Sequence, residues 1–228
     1  MQTAGILEIF SSIQGEGPYV GERQIFIRFA GCNLNCAYCD TARNRRALKL
    51  AVKDIILKIR KLNKKVKHHT VSLTGGEPLL HAEFLEKLLP ELKNRGYKIY
   101  LETNATLPRA LKRVLRYIDY VCADIKLPSV AKQKALWRFH KEFIRLVRFK
   151  KIFVKIIVSD KLKSRDFKKA TALLSSVDKN ITLVIQPVIS GKKVKISTPA
   201  LFKLQEYALR TLRNVLVIPQ VHKILGAR

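Results

Sequence analysis

Three cysteines in one short segment carry the first chemical signal in this chain. Cys32, Cys36 and Cys39 have the spacing C-x3-C-x2-C within the segment 31–41. Three thiolates spaced in this way can ligate three irons of a cubane [4Fe–4S] cluster and leave the fourth iron without a protein ligand. An open iron can bind a small molecule and pass an electron to it. The segment 31–41 therefore predicts a cluster loop with redox chemistry.

Two other uses of cysteine are less consistent with the sequence. A structural zinc site takes four Cys or His ligands, whereas the remaining cysteine, Cys122, is distant and inside a predicted strand. A disulfide scaffold is typical of short, cysteine-rich secreted chains. We interpret Cys122 as a small buried residue.

Two further motifs place glycines beside a carboxylate. Gly75-Gly76-Glu77-Pro78 follows an apolar run, and glycine lets a ligand approach the backbone closely. Glu77 could accept hydrogen bonds from an ammonium group; an ordinary turn that starts a helix at Pro78 is the alternative. In the segment 12–18, Glu16 lies between two glycines. Its carboxylate could accept two N–H groups from a guanine-like or pterin edge, and a surface turn is again the alternative.

Arg28 is the only charged residue in the apolar run 25–30. A lone cation in a buried strand is rarely present for stability alone. Arg28 could bind a substrate carboxylate, and its alternative partner would be Glu16 or Glu102.

These residues need a scaffold, and the chain alternates between apolar β-branched runs and amphipathic helical patterns. The runs are typical of buried parallel strands, so we predict an α/β fold, a partial (open) β/α barrel with a mostly parallel sheet, in one domain over residues 1–228. The predicted strands are 25–30, 71–74, 98–102, 120–125, 152–158, 183–188 and 215–218. The predicted helices are 52–62, 82–95, 109–117, 133–147, 166–176 and 199–212. The motifs follow the strand ends, where such folds gather their function.

Composition adds limits on the function class. No apolar stretch is long enough for a membrane span, and the first residues lack a signal-peptide pattern, so we expect a cytoplasmic protein. The net charge of +28 raises the question of whether the protein binds nucleic acid. Because the basic residues are spread along helices without interleaved stacking aromatics, we favour a solvated basic surface and expect no direct nucleic-acid binding.

Taken together, the motifs resemble one family. Ser-Ile-Gln-Gly-Glu-Gly (12–17), Arg28, the cysteine loop 31–41, Thr-Gly-Gly-Glu-Pro (74–78) and Glu-Thr-Asn (102–104) occur in order, followed by Asp-Ile-Lys-Leu-Pro-Ser (124–129) and Ile-Gln-Pro (185–187). The chain is similar over nearly its whole length to the 7-carboxy-7-deazaguanine synthases, within the radical S-adenosylmethionine (SAM) superfamily. The resemblance implies conversion of 6-carboxy-5,6,7,8-tetrahydropterin to 7-carboxy-7-deazaguanine with release of ammonia, for 7-deazapurines such as queuosine and archaeosine.

The resemblance also implies cofactors and residue roles. It implies a [4Fe–4S] cluster on Cys32, Cys36 and Cys39, SAM, Mg2+ on Thr41, a homodimer, and an electron donor such as flavodoxin or ferredoxin. The alternative for Thr41 and Asp40 is a helix cap, and for Tyr38 it is packing of the loop. The implied SAM-binding residues are Tyr38, Cys39, Asp40, Gly75, Gly76, Glu77, Asn104, Lys126, Ser129 and Gln186. The implied substrate-binding residues are Ile13, Gln14, Gly15, Glu16, Arg28 and Thr74.

One departure and two rival functions remain open. The family commonly continues Glu-Thr-Asn with glycine, whereas this chain has Ala105, which we expect to shift the loop slightly without removing a ligand. The first rival is a radical SAM activase of a glycyl-radical enzyme, which shares the cysteine spacing. The second is a basic iron–sulfur RNA-binding protein, prompted by the charge; it leaves the Gly-Gly-Glu-Pro motif unexplained. We also leave open whether His222, Lys223 and the C-terminal tail close over the substrate.

Overall fold

A computed structural model describes residues 2–39, 46–191 and 193–227. In this part of the chain one open sheet of nine strands has the order β11-β8-β7-β6-β5-β4-β2-β1-β3, and β9 and β10 form a separate hairpin. The strands are β1 (Thr3–Ile13), β2 (Arg23–Phe29), β3 (Leu48–Ala51), β4 (Thr70–Gly75), β5 (Lys98–Thr103), β6 (Tyr120–Ile125), β7 (Lys151–Val158), β8 (Thr182–Pro187), β9 (Ile189–Ser190), β10 (Lys193–Val194) and β11 (Val215–Val217).

Helices connect the parallel strands, and three short 3-10 turns cover Gly17–Tyr19, Pro78–His81 and Leu115–Tyr117. The α-helices are α1 (Val52–Lys65), α2 (Ala82–Asn94), α3 (Pro108–Val114), α4 (Pro128–Ala131), α5 (Trp137–Val147), α6 (Ser164–Ser175), α7 (Thr198–Leu209) and α8 (Val221–Ile224). None of these helices has the length and apolar character needed to cross a membrane.

The two faces of the sheet have different chemistry because side chains alternate along each strand. On β2, Ile25, Ile27 and Phe29 are fully buried in the large apolar core under the helices. The intervening positions of the strands face the concave side, where Tyr100, Tyr120 and Phe153 form a small aromatic cluster with Cys122 and Val184. Polar residues lie above this cluster toward the carboxyl ends of the strands, so the concave face is built to hold a polar site.

All seven predicted strands are present and run parallel, which confirms the predicted fold class. The strands β1 and β3, which extend the sheet with antiparallel pairing, were not predicted. β1 mixes buried and half-buried positions without a continuous apolar run, and β3 has only four residues. Pairing with β2 therefore decides these strands more than their own sequence does.

The predicted helix 133–147 was wrong at its start. The helix α5 begins at Trp137, and the preceding short helix α4 ends at Ala131, followed by Lys132 with a left-handed φ of 52°. The Gln133 side-chain amide donates to the backbone carbonyl of Asn35 in the cysteine loop. The segment after α4 is therefore held against the cysteine loop and cannot continue as a helix.

Candidate active site

One cavity of about 420 Å³ opens at the carboxyl ends of the parallel strands. This volume is in the usual range for small-molecule sites. Its lining brings together most of the predicted site residues, namely Ile13, Gln14, Gly15, Glu16, Arg28, Cys32, Cys36, Tyr38, Cys39, Thr74, Gly75, Gly76, Asn104, Lys126 and Gln186. We call the side with Gln14 and Glu16 the substrate end, and the side with the three cysteines the cluster end.

The cluster end is held by backbone and amide contacts. The Ala37 N–H donates to the Ala131 carbonyl at 3.0 Å, which fixes the cysteine loop on α4. The Asn104 side-chain amide donates to Asn33 Oδ1 at 2.8 Å and approaches Cys32 Sγ at 3.7 Å. Cys32 and Cys39 are exposed, whereas Cys36 is buried. These contacts present the three thiols along one side of the cavity.

The Gly-Gly-Glu-Pro loop packs directly against the start of the cysteine loop. The Glu77 N–H donates to the Gly31 carbonyl at 2.8 Å. A Cβ added at Gly76 would lie 1.8 Å from that carbonyl oxygen, so only glycine allows the two loops to approach. The motif therefore sets the distance between the cysteines and β4, in addition to lining the cavity.

Glu77 itself lies below the cavity lining and is fully buried. Its carboxylate accepts hydrogen bonds from the Leu79 N–H at 3.0 Å, the Asn104 N–H at 2.8 Å and the Thr103 hydroxyl at 2.8 and 2.9 Å. Burial raises the pKa of Glu77 to about 7, against these opposing hydrogen bonds. The predicted capture of an ammonium group by this carboxylate is not favoured, because its oxygens are occupied in fixing the loop that carries Asn104.

At the substrate end, Glu16 is held from two sides. Lys155 Nζ donates to Oε2 in a short ion pair, and Gln220 Nε2 donates to Oε1 at 2.8 Å. Burial by itself raises the pKa of Glu16, but the Lys155 ammonium and the two hydrogen bonds outweigh it and lower the pKa to about 2. Glu16 is therefore an ionised acceptor fixed in direction before any ligand binds.

A second carboxylate, Glu102, organises the other substrate-end residues. It accepts the Gln14 side-chain amide at 2.9 Å and the Thr74 hydroxyl at 2.9 Å. The alternative partner predicted for Arg28 was wrong, since Arg28 Nε donates to Glu8 Oε1 at 2.7 Å and not to Glu16 or Glu102. Glu8 is on β1, the strand that the sequence analysis missed, and it also lines the cavity.

The C-terminal segment forms one side of the substrate end. The Val221 N–H donates to the Gly15 carbonyl at 2.9 Å, and His222 and Lys223 line the cavity. A Cβ added at Gly15 would lie 2.3 Å from His222 Nδ1. Gly15 therefore makes room for the helix α8.

The remaining predicted residues are placed elsewhere. Ser129 does not line the cavity; its N–H donates to Asp166 Oδ2 at 2.9 Å and its hydroxyl accepts the Lys163 N–H at 3.1 Å, a position that does not favour contact with SAM. Asp40 and Thr41 lie outside the described residues, so their roles stay predictions. Cys122 is buried in the aromatic cluster, as predicted.

Several cavity residues were missed as site residues. They are Glu8, Glu102, Asp124, Lys155 and Gln220. Lys155 had the same signal as Arg28, because it is the only charged residue in the apolar run 152–158. Glu102 and Asp124 lie inside motifs quoted for the resemblance, at the ends of predicted strands. Gln220 had no local signal, since only the folded chain brings it to Glu16.

Comparison with known proteins decides the family. The model of the Radical SAM superfamily matches residues 26–159. A 7-carboxy-7-deazaguanine synthase from Archaeoglobus fulgidus is 39% identical over 242 residues, covering 99% of this chain and 99% of the relative. One from Geobacter sulfurreducens is 34% identical over 244 residues, covering 98% of this chain and 97% of the relative. The chain belongs to the 7-carboxy-7-deazaguanine synthase family. In its fold it is similar to QueE from Escherichia coli, with a TM-score of 0.67, 21% identity and coverage of 97% and 96% of the two chains.

Membership of this radical SAM family implies a [4Fe–4S] cluster and SAM, and the cluster end fits both. Within the described residues no group of His, Cys, Asp or Glu side chains converges on a single ion, and a cubane separates its thiolates more widely than one ion does. Burial raises the pKa of Cys36 to about 11, so the thiolate form at neutral pH depends on bound iron. Three buried polar atoms, Tyr38 Oη, Asp124 Oδ1 and Gln186 Oε1, lack hydrogen-bond partners among the described residues. Such atoms are expected where a polar cofactor completes the site.

Proposed function

We propose that this synthase converts 6-carboxy-5,6,7,8-tetrahydropterin into 7-carboxy-7-deazaguanine with release of ammonia. One observation carries the proposal: the cavity places the ionised carboxylate of Glu16 opposite the three cysteines. The hydrogen bonds within the substrate end hold in place the polar groups that a donor-rich heterocycle needs. This arrangement distinguishes the site from a bare radical SAM centre, and it gives no support to the glycyl-radical activase, which would need a protein partner.

The substrate end supplies recognition. The carboxylate of Glu16 can accept two N–H groups of the pterin edge, because Lys155 and Gln220 already hold it ionised and in one orientation. Gln14 and Thr74, both held by Glu102, present further polar groups. Arg28 lines the cavity with its side chain 25% exposed, and we assign it to the substrate carboxylate. Ile13 and Gly15 complete this wall.

The cluster end supplies the reactive species. The cluster and SAM, when bound, provide a radical that removes a hydrogen atom from the substrate. Cys32, Cys36 and Cys39 would hold the cluster. The residues assigned to SAM that line the cavity are Tyr38, Cys39, Gly75, Gly76, Asn104, Lys126 and Gln186. Lys126 Nζ lies 5.4 Å from the Tyr38 ring centroid, so the two side chains can act on the same ligand. Asp40 stays a predicted SAM-binding residue, whereas the hydrogen bonds of Glu77 and Ser129 do not favour contact with SAM.

We also assign Mg2+ to the hydroxyl of Thr41, together with the substrate carboxylate and water, since Mg2+ prefers oxygen ligands. Replacing Thr41 with alanine should weaken the Mg2+ dependence of turnover and leave the cluster intact. Iron content and the Mg2+ concentration dependence check this assignment, and an unchanged Mg2+ response would contradict it.

The setting of the enzyme is also a proposal. We propose that residues 1–228 act as one radical SAM domain, that the protein is a cytoplasmic homodimer, and that flavodoxin or ferredoxin supplies the electron. Its product would serve 7-deazapurine synthesis, including queuosine or archaeosine.

The experiment is anaerobic turnover of the reconstituted protein with SAM, Mg2+, a reductant and 6-carboxy-5,6,7,8-tetrahydropterin. Mass spectrometry should detect 7-carboxy-7-deazaguanine. Cleavage of SAM to 5′-deoxyadenosine without this product would retain radical chemistry and reject the substrate. If neither appears with an intact cluster, the synthase activity is rejected.

A further inference from the structure

Lys155 is a charged residue in an otherwise apolar stretch of β7. It lies in the middle of β7, and its neighbours on the same face, Phe153 and Ile157, are apolar. Its relative exposure is 7%. Burying an ammonium group is costly unless opposite charges and hydrogen bonds compensate for the lost water. An apolar side chain would satisfy the fold, so the lysine needs another explanation.

The ammonium group of Lys155 lies between two carboxylates from different parts of the chain. One is Glu16, in the loop after β1, and the other is Asp124 on the neighbouring strand, whose Oδ2 lies 3.3 Å from Lys155 Nζ. The same oxygen of Asp124 lies 2.8 Å from Lys126 Nζ. The side chains of Glu16, Lys155, Asp124 and Lys126 therefore form one continuous row of alternating charge. This row runs from the substrate end to the cluster end of the cavity.

We infer that Lys155 is a positioning residue, which fixes the carboxylate of Glu16 for the substrate and ties it to Asp124 and Lys126 on the cofactor side. The inference rests on the proposed function, because it assumes that Glu16 binds the substrate. Without the ammonium group of Lys155, the neighbouring carboxylates of Glu16 and Asp124 would lose the cation that lies between them. Glu16 would then take up a proton or turn away, and either change removes an acceptor from the pterin edge.

The test measures binding of 7-carboxy-7-deazaguanine to the anaerobic holoenzyme with SAM and without reductant, by calorimetry. Removing one partner of a buried charge pair is expensive, so Lys155→Met should weaken binding by about 30-fold or more. Lys155→Arg should retain most of the affinity, because a guanidinium can still contact both carboxylates. The matched control is Lys151→Met, an exposed lysine at the start of the same strand, which should bind like the wild type.

The pH dependence separates positioning from a general loss of structure. If Lys155 keeps Glu16 ionised, the affinity of Lys155→Met should recover as the pH is raised, whereas that of the wild type should not rise in this way. Other ionisable groups also act on Glu16 or Lys155, and each is retained in the variant: Tyr38, Tyr100, Glu102, Cys122, Asp124, Lys126 and His222. A misfolded variant would instead lose iron and bind weakly at every pH.

The outcomes separate the inference from the proposed function. Affinity of Lys155→Met within about threefold of the wild type at neutral pH, with normal iron content, overturns the inference and leaves the synthase activity standing. If the wild type neither binds nor forms 7-carboxy-7-deazaguanine, the proposed function fails. A double-mutant cycle of Glu16→Gln and Lys155→Met on the free energy of unfolding then decides the inference, because additive effects would show that the two groups are not coupled.

Discussion

The two ends of the cavity are prepared to different degrees before any ligand binds. At the substrate end Glu16, Gln14 and Thr74 all have hydrogen-bond partners within the protein. At the cluster end Tyr38 and Asp124 each bury a polar atom that has no partner among the described residues, and Gln186 in the cavity lining buries another. The substrate end is thus organised by the chain itself, whereas the cluster end is completed by its cofactors.

This difference has a physical reason. The pterin edge of the substrate is uncharged and gives little binding energy per contact, so the protein acceptors that bind it gain from being fixed in advance. Iron and SAM bring charge and strong bonds of their own, and they can satisfy groups that would otherwise be costly to bury. Changes at the cluster end should therefore affect loading of the cofactors, and changes at the substrate end should affect ionisation and recognition.

The largest effect should come from Cys36→Ala. Removing one of the three assigned thiolate ligands should abolish stable cluster binding and all turnover, because the remaining cysteine, Cys122, is buried in the aromatic cluster. Iron and sulfide content and the visible absorption spectrum report this loss. Cys122→Ala, within the aromatic cluster, is the control and should keep its iron; equal iron content in the two variants would refute the ligand assignment.

At the substrate end, the ionisation of Glu16 should make the free energy of unfolding depend on pH in the acid range. The pKa of Glu16 falls from 4.5 to about 2 on folding. Its contribution to the free energy of unfolding is therefore complete above pH 4.5 and is lost as the pH falls from 4.5 toward 2. The shift corresponds to about 3 kcal/mol. Urea unfolding of the wild type and Glu16→Gln as a function of pH should show a difference that shrinks in acid. A constant difference would contradict the low pKa.

Asn104→Ala should have a smaller effect at the cluster end. The substitution removes the amide that holds Asn33 and approaches Cys32 Sγ. Loss of such a supporting contact typically costs about 10- to 100-fold in activity or metal affinity. SAM cleavage without substrate should fall by this factor while the product affinity of the substrate end changes little. An equal loss at both ends would show that the two ends are not independent.

The smallest effects concern strain at the cluster end. Ala105 and Lys132 are the non-glycine residues with positive φ in the described chain, at 56° and 52°. A left-handed L-residue costs about 1–2 kcal/mol, partly offset in a glycine variant by about 0.4–1 kcal/mol of chain entropy. Exposed Lys132→Gly should therefore stabilise the protein by about 0.5–1 kcal/mol. Ala105→Gly should be nearly neutral, because the buried methyl group contributes about 0.8 kcal/mol.

Chemical denaturation of the two glycine variants measures these differences directly. A Lys132→Gly variant that is less stable than the wild type would contradict the strain argument. The result also bears on the loop after Asn104, where the family commonly has glycine. Ala105 has a left-handed φ of 56°, so alanine at this position strains the loop.

The sequence by itself determined the parallel strands, the cysteine loop and many of the cavity-lining residues. Each of these depends on a local pattern: an apolar run for β6 or β7, a cysteine spacing for residues 32–39, paired glycines for Gly75 and Gly76. Such patterns can be recognised in the sequence because side-chain periodicity and backbone freedom act over a few residues. The family motifs were also contiguous in sequence, which made them visible without a structure.

Only the tertiary structure decided which charges meet. Arg28 pairs with Glu8 across β1 and β2, and Glu16 meets Lys155 and Gln220 from distant parts of the chain. Glu77, which the motif predicts as a SAM-binding residue, is buried and accepts hydrogen bonds that fix the loop of Asn104. Electrostatic partners depend on distances set by the packed strands and not on sequence spacing. The ionisation of Glu16 and the role inferred for Lys155 therefore emerge from the fold.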